Sequence, residues 1–207
     1  MTSYELIFEG DQINEDTEDA ILESGLDAVL VTGTSPEAET VVTVTADGPT
    51  AIVAGHAAAS ELARLGMRIR RSCEDLVTRS NIASRAEKTP QAVNLWISGE
   101  RKARNPFPRP AYRAANGLWL WGDVAEWLKI NTDYVDNLGY PTLLDHTRLN
   151  HWIYAQGKVA EVARFNQLQY RATGTATSHV NTPPLHGKTS SALIDAEYKR
   201  QEFTLAG

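Results

Sequence analysis

Two amide side chains, Gln91 and Asn94, stand three residues apart near the middle of the chain. They follow Thr89-Pro90, where threonine is a favoured helix N-cap and proline is favoured at the first helical position. A helix that begins there points both amides outward, and each amide can form two hydrogen bonds with the N6 and N7 edge of adenine. Ala92 is expected to point outward too and is suited to contact a thymine methyl group. The sequence therefore predicts a helix that reads base edges through Gln91, Ala92 and Asn94.

Basic side chains flank this helix in the sequence. Between Arg64 and Arg113 there are twelve Lys and Arg against four Asp and Glu, whereas the chain before Arg64 has thirteen Asp and Glu and no Lys or Arg. Local charge matters more than the net charge of −6, because salt screens the phosphate field over about 10 Å at about 0.1 M. An ordinary solvated face is the alternative interpretation. The predicted contacts to the DNA backbone are Arg79, Arg85, Lys88, Ser98, Arg101, Lys102 and Arg104.

A hairpin is predicted after the reading helix, which ends at Gly99. Asn116-Gly117 stands between apolar residues, and this pair is a strong signal for a two-residue type I′ turn with positive φ at both positions. We interpret the hairpin as a wing that presents Arg113 and Asn116 to a phosphate group or to the adjacent minor groove. A substitution at Gly117 is expected to distort the wing and leave the rest of the fold intact.

A series of residues between positions 76 and 128 keeps a characteristic order and spacing: Leu76, Val77, Thr78, Ile82, Ala83, Thr89, Val93, Trp96, Gly99, Phe107, Pro108, Pro110, Trp119, Val124, Trp127 and Leu128. This series resembles the AlpA/excisionase-type branch of the MerR-like helix-turn-helix regulators. Members run from L-V-T-x-x-x-I-A through a capped recognition helix, an F-P-x-P turn and a tryptophan-bearing wing to a final helix ending in W-L. The resemblance implies a winged helix-turn-helix over residues 73–128 that binds double-stranded DNA.

The segment departs from that family in two places. The residues ERKARN are inserted between Gly99 and Phe107, and the usual glycine at the turn between the two helices is missing. More loosely, residues 1–128 resemble actinobacterial DNA-binding proteins that place a small α+β domain before such a module.

The first 72 residues predict a separate α+β domain. Tyr4, Leu6 and Phe8 alternate with other side chains, as in a strand with one buried face. Helices are predicted over about 14–24 and 51–65, and further strands over 28–32, 40–45 and from residue 67. This βαββαβ order is the ferredoxin-like plan, which hosts many functions. The predicted fold class is thus α+β, with a ferredoxin-like domain followed by a winged helix-turn-helix and a helical C-terminal extension.

The rest of the chain predicts a helical extension over 129–171 and a flexible tail over 172–207. One helix is expected to continue over 123–138, and another over about 142–170 has apolar residues on more than one face, so it needs a partner. Residues 172–190 are small and polar with two prolines, as in a linker. Residues 191–203 predict a short amphipathic helix, and a docking peptide and a frayed tail are both open interpretations.

Other reactive residue types give no catalytic pattern. His146 and His151 are five residues apart, so they do not share a helix face as i,i+4 metal ligands do. No catalytic residue, metal site or cofactor is predicted, and we do not expect an enzyme. One cysteine, Cys73, excludes an internal disulfide, and the lack of a long apolar run predicts no membrane segment and a cytoplasmic protein. Four aromatic residues are interpreted as core beneath the wing rather than as base-stacking platforms: Trp96, Trp119, Trp121 and Trp127.

The function that the sequence favours is sequence-specific binding of double-stranded DNA, as a transcriptional regulator or a phage-type excision factor. The alternative is a partner-binding antitoxin or adaptor with a degenerate helix-turn-helix. One winged module buries only about 600–1,000 Å² on DNA, so a C2 homodimer is expected. The candidate dimer surfaces are the open sheet of residues 1–72 and the helix of residues 142–170, which is favoured. A protein partner at residues 142–170 or at the C-terminal tail is also possible.

Overall fold

Alternating side chains build the first strand of this computed structural model, in which residues 1–33, 38–101 and 104–173 are described. Strand β1 spans Thr2–Gly10 and buries Leu6 and Phe8 on one face. The elements that follow are α1 (Glu15–Glu23), β2 (Asp27–Thr32), β3 (Thr40–Gly48), α2 (Ala51–Arg64) and β4 (Ile69–Ser72). The protein is therefore mixed α+β, and these six elements occur in the predicted order.

The four strands form one antiparallel sheet in the order β2-β3-β1-β4. Strand β1 pairs with β3 along its whole length, from Thr2 opposite Gly48 to Gly10 opposite Thr40. Strand β4 pairs only with the last residues of β1, where the register shifts at Glu9 and Gly10. Apolar side chains of β1, β3, α1 and α2 pack together into one hydrophobic cluster, which we call the sheet core.

A second hydrophobic cluster lies among five shorter elements, which we call the helix-pair module. They are β5 (Leu76–Val77), α3 (Arg79–Arg85), α4 (Pro90–Ile97), β6 (Trp119–Leu120) and α5 (Trp121–Asn131). Strands β5 and β6 pair antiparallel. Both short helices begin at a threonine cap, because the Thr78 hydroxyl accepts from Asn81 N and the Thr89 hydroxyl accepts from Ala92 N.

The turn between α3 and α4 is made without glycine. Glu87 takes a left-handed conformation with φ +52°, which costs an ordinary side chain about 1–2 kcal/mol. The backbone N–H of Lys88 donates to the carbonyl of Ala83 at 2.9 Å and closes the turn. Glu87 thus adopts, at this turn, the left-handed backbone conformation that glycine would favour.

The predicted helix over 123–138 is too long. Helix α5 ends at Asn131, where the Asn131 amide donates to Trp127 O and the Thr132 hydroxyl donates to Leu128 O, both at 2.8 Å. These bonds satisfy the last carbonyls of the helix. The following segment returns to the sheet, where Gly139 O accepts from Glu5 N at 3.0 Å and Gly139 N donates to Ser3 O at 2.8 Å.

Helix α6 (Leu143–Thr173) packs its first half on the sheet core. Leu149 and Ile153 are buried there, and Gly55 of α2 makes room because an added Cβ would lie 2.6 Å from Leu149 Cδ2. Asn150 binds both backbone groups of Ser72, at 2.6 and 3.1 Å. Every side chain from position 156 to 164 is exposed.

Residues up to Arg164 form one compact unit, and a second unit begins at Phe165. The predicted tail beyond residue 173, with its short amphipathic helix, lies outside the described residues, as does Lys102. Among the helices of the described ranges, none combines the length and the apolar character needed to cross a membrane.

Candidate nucleic-acid interface

An aromatic cluster holds the helix-pair module together. Phe107 lies with its ring centroid 4.9 Å from that of Trp127, 6.3 Å from that of Trp119 and 6.4 Å from that of Trp96. Trp96 also packs on Trp127 at 5.3 Å. All four rings are buried, and so is Trp121. The tryptophans therefore form core, and α4 is fixed to the rest of the module through Trp96 and Val93.

Two indole N–H groups fix the proline-containing segment that follows α4. Trp127 Nε1 donates to Asn105 O, and Trp119 Nε1 donates to Pro108 O, both at 3.0 Å. Prolines at positions 106, 108 and 110 have no backbone N–H, so this segment cannot pair as a regular strand. The indoles supply the partners that its carbonyls need, and they set the path of residues 105–110 beside α4.

The predicted base-reading residues differ in their exposure. Gln91 and Asn94 are exposed on α4, whereas Ala92 is half-buried and packs against the aromatic cluster. The prediction that Ala92 points outward with the two amides is therefore wrong. Position 92 lies one helical turn before the buried Trp96, so its methyl group is at the border of the core.

Arg79 links α3 to α4. Its Nη1 donates to Asn94 Oδ1 at 3.4 Å, and its guanidinium lies 5.8 Å from the ring centroid of Trp119. The Asn94 amide is thus held by a weak hydrogen bond from a side chain that was predicted to contact the DNA backbone. In this arrangement Arg79 can orient Asn94, and Gln91 has the freer amide.

Arg85 and Lys88 are engaged within the protein. Arg85 forms a two-pronged ion pair with Asp75 and lies 5.0 Å from the ring centroid of Trp121. Burial lowers the pKa of Arg85, but the hydrogen bonds and charge of Asp75 outweigh burial and raise that pKa above its ordinary value. Lys88 Nζ lies 2.6 Å from Asp133 Oδ1. Both cations stabilise the module, so fewer basic side chains are free for a phosphate group.

Ion pairing divides the basic stretch into two groups. Six cations pair with carboxylates: Arg64, Arg68, Arg70, Arg71, Arg85 and Lys88. Five exposed arginines form no ion pair with any described residue: Arg79, Arg101, Arg104, Arg109 and Arg113. Arg79 lies on α3, and Arg101 directly follows α4. Arg104 and Arg109 lie at or within the segment that the indoles hold, and Arg113 lies in the loop closed by Tyr112 and Leu118.

Arg109 was absent from the predicted contacts. It stands between Pro108, whose carbonyl accepts from Trp119, and Pro110. A cation between two prolines is a signal that the sequence offered, because proline restricts its own backbone and that of the residue before it. Ser98, a predicted backbone contact, has its hydroxyl 3.4 Å from Leu95 O and 3.2 Å from Glu100 Oε1.

The predicted wing is a different kind of loop. Tyr112 and Leu118 exchange backbone hydrogen bonds at 3.1 and 2.8 Å, so five residues separate the paired positions and the two-residue type I′ turn is wrong. Asn116 has φ +67°, and Gly117 has φ +100° with ψ 132°. Beyond the loop, β6 pairs with β5. Arg113 and Asn116 are both exposed in this loop.

Comparisons with protein family models, with curated proteins and with solved structures give no match to this chain. The proposed function therefore rests on the geometry of the candidate interface.

Two residues of reactive type outside the helix-pair module, His146 and Cys73, lie in surroundings that favour their neutral forms. His146 is buried with Nδ1 2.8 Å from Ser72 Oγ, and burial lowers its pKa. Burial also raises the pKa of the Cys73 thiol to about 11, so the thiol is protonated at neutral pH. Within the described ranges, no group of three His, Cys, Asp or Glu residues has the arrangement of a metal site.

We expect Gly117→Ala to destabilise the protein far more than Gly99→Ala. An added Cβ at Gly117 would lie 2.6 Å from Trp119 Cη2, inside the aromatic cluster. Gly99 has φ +78° but no atom within 4 Å of an added Cβ, so it is a matched control for the backbone effect alone. The expected losses are about 3–5 kcal/mol for Gly117→Ala and about 1–2 kcal/mol for Gly99→Ala. Urea unfolding followed by circular dichroism measures both, and equal losses would show that Gly117 is not packed on Trp119.

Proposed function

We propose that this protein binds double-stranded DNA in a sequence-specific manner through a winged helix-turn-helix, as a transcriptional regulator or an excision factor. The observation that supports this most directly is the set of five unpaired arginines around α4. Phosphate contacts from such arginines position a reading helix, and base contacts then specify the sequence. The capped helices α3 and α4, with a tight turn between them and a strand pair after them, fit this type of module.

The two outward amides on α4 give the proposal its specificity. Gln91 and Asn94 stand at i and i+3, so they lie on one helix face and can meet neighbouring base pairs. We now propose Arg79, Arg101, Arg104, Arg109 and Arg113 as the phosphate contacts, with Ser98 and Asn116 beside them. Arg85 and Lys88 have a structural role in this proposal, because their carboxylate partners already neutralise them.

The sheet domain supports the finer fold assignment. Its βαββαβ order and its all-antiparallel pairing in the order β2-β3-β1-β4 fit a ferredoxin-like domain. Such a domain decides no function by itself. Its acidic surface would be repelled by DNA, so we propose that it faces away from the duplex.

We further propose that two copies bind together. Trp152 and Ile153 lie on α6, where the sequence favours the dimer surface, but they pack on the sheet core of the same chain. Exposed apolar side chains in the second half of α6 support the dimer proposal, among them Val159, Val162 and Phe165. A two-fold dimer recognises an inverted repeat, so the symmetry of a selected DNA site tests this part of the proposal.

Removing one unpaired arginine should weaken binding to all DNA sequences alike. Each lost phosphate contact lowers the slope of log K against log salt concentration by about 0.9 on B-form DNA. We therefore expect Arg101→Ala and Arg104→Ala each to reduce that slope, as measured by fluorescence anisotropy of a labelled duplex. Arg64→Ala is the control, because it removes the same charge from an arginine that pairs with Glu61 on α2. A slope that stays at the wild-type value in both variants, or falls equally in Arg64→Ala, would contradict the proposed interface.

Removing one outward amide should affect only the preferred sequence. Gln91→Ala and Asn94→Ala are each expected to lose about 1–3 kcal/mol on a selected site and to relax preference at one base pair. Affinity for random duplex should hardly change. Gln156→Ala is the matched control, since Gln156 is exposed on α6, away from the reading helix. Equal losses on selected and random duplex would mean that α4 does not read the bases.

A further inference from the structure

The two edges of the four-stranded sheet differ in how well they are protected. Strand β4, at one edge, is short, carries Arg70 and Arg71, and pairs with β1 through an irregular register. Charged side chains, short strands and irregular pairing are the usual means of blocking an edge against further strands. Strand β2, at the other edge, has the sequence DAVLVT, without lysine, arginine, proline or glycine, and pairs with β3 in one unbroken register.

The outer edge of β2 carries backbone N–H and C=O groups that are not bonded to β3. Successive residues in a strand turn their N–H and C=O groups to opposite edges, so three of its six residues direct both groups away from β3. No backbone hydrogen bond from the described residues reaches that outer edge. Val29 and Val31 are 64% and 65% exposed on the sheet face opposite the helices. The edge therefore presents both main-chain groups and apolar side chains to a further strand.

The charge beside this edge is negative. Helix α1 packs next to β2 and carries five carboxylates, at Glu15, Asp16, Glu18, Asp19 and Glu23. None of the five forms an ion pair with any residue in the described ranges. Pairing two copies of this chain through β2 would place two such helices side by side on one face of the joined sheet. Like-charge repulsion disfavours that dimer, whereas a cationic segment would be attracted.

We propose that the outer edge of β2 binds an extended segment of another protein, rich in lysine or arginine, as a fifth strand of the sheet. Main-chain hydrogen bonds supply the affinity in this mode, and alternate side chains supply the specificity. One set of side chains on the added strand lies beside Val29 and Val31 and is apolar. The other set lies on the face of α1 and is basic. This protein-binding surface is separate from the proposed DNA interface and does not depend on it.

A library of random octapeptides displayed on phage, selected against the immobilised full chain, tests the proposal. The expected result is enrichment of peptides that alternate apolar residues with lysine or arginine. Selection on a Val31→Lys variant should lose that enrichment, because the new cation repels the peptide and blocks the edge. Val53→Lys is the matched control, since Val53 is also exposed (48%) but lies on α2. We expect it to keep the enrichment.

The best peptide, once synthesised, allows a test of the pairing itself. N-methylation of alternate amides should weaken its affinity at least ten-fold, as should Asp16→Asn combined with Asp19→Asn on α1. In the wild-type protein, the peptide should protect amides of β2 from hydrogen exchange, and this readout needs no variant to fold. Absence of enrichment, enrichment of acidic or non-alternating peptides, or protection elsewhere overturns the proposal. A wild-type dimer in sedimentation that Val31→Lys converts to monomer would overturn it in favour of a second copy at the same edge.

Discussion

The two indole hydrogen bonds to Asn105 O and Pro108 O are the constraint on which the candidate interface depends. The segment that they hold, residues 105–110, has three prolines and no regular strand pairing, so its carbonyls need partners from elsewhere. A hydrogen bond of this kind contributes only about 0.5–1.5 kcal/mol net, but a buried carbonyl left without one costs about 1–3 kcal/mol. Burial of Phe107 among three tryptophans adds the larger apolar contribution. Together these contacts turn a loop that would otherwise be variable into a fixed neighbour of α4.

The electrostatics of the module follow from the same arrangement. In the sequence, the basic stretch carries a large positive excess, but carboxylates from the sheet and from the module neutralise half of its cations. The Arg85–Asp75 pair connects α3 to the strand before it, and the peptide N–H of Trp121 donates to Asp75 O at 2.8 Å. Asp75 therefore fixes both α3, through Arg85, and the start of α5, through Trp121. Within this basic stretch, the arginines that form no ion pair with a described residue either follow α4 in the sequence or, like Arg79, touch it.

Local signals explain how much of the fold could be predicted. The helix start at Asn14, the cap at Thr89 and the alternation in β1 depend on neighbours within a few residues, and the structure has each of these elements where the sequence predicts it. The errors arose where distant contacts decide. Helix α5 ends early because the following segment is bonded to β1 through Gly139, a partner more than a hundred residues away in sequence. One further error is local: the Tyr112–Leu118 pairing encloses a five-residue loop in place of the two-residue turn that Asn116-Gly117 favours.

The candidate site was predictable in its residue types but not in their pairing. Gln91 and Asn94 could be placed on the outer face of α4 from the Thr89-Pro90 start alone. The engagement of Arg85 and Lys88 and the half-buried position of Ala92 depend on tertiary contacts. Tertiary contacts also explain the many apolar residues of α6. From the sequence they favour a dimer surface, whereas in the structure Trp152 and Ile153 cover the sheet core. The protein thus combines an acidic sheet domain with a module in which the arginines without carboxylate partners lie on α3 and after α4.

In vitro selection from a random double-stranded DNA pool tests the central claim most directly. The full-length protein would be taken through repeated rounds of binding and amplification, and the bound pool would be sequenced. The account predicts one recurrent short motif with adenine at the positions read by the two amides, arranged as an inverted repeat. A selected pool with no sequence enriched over the starting pool, or over a pool carried through the same rounds without protein, would contradict this prediction.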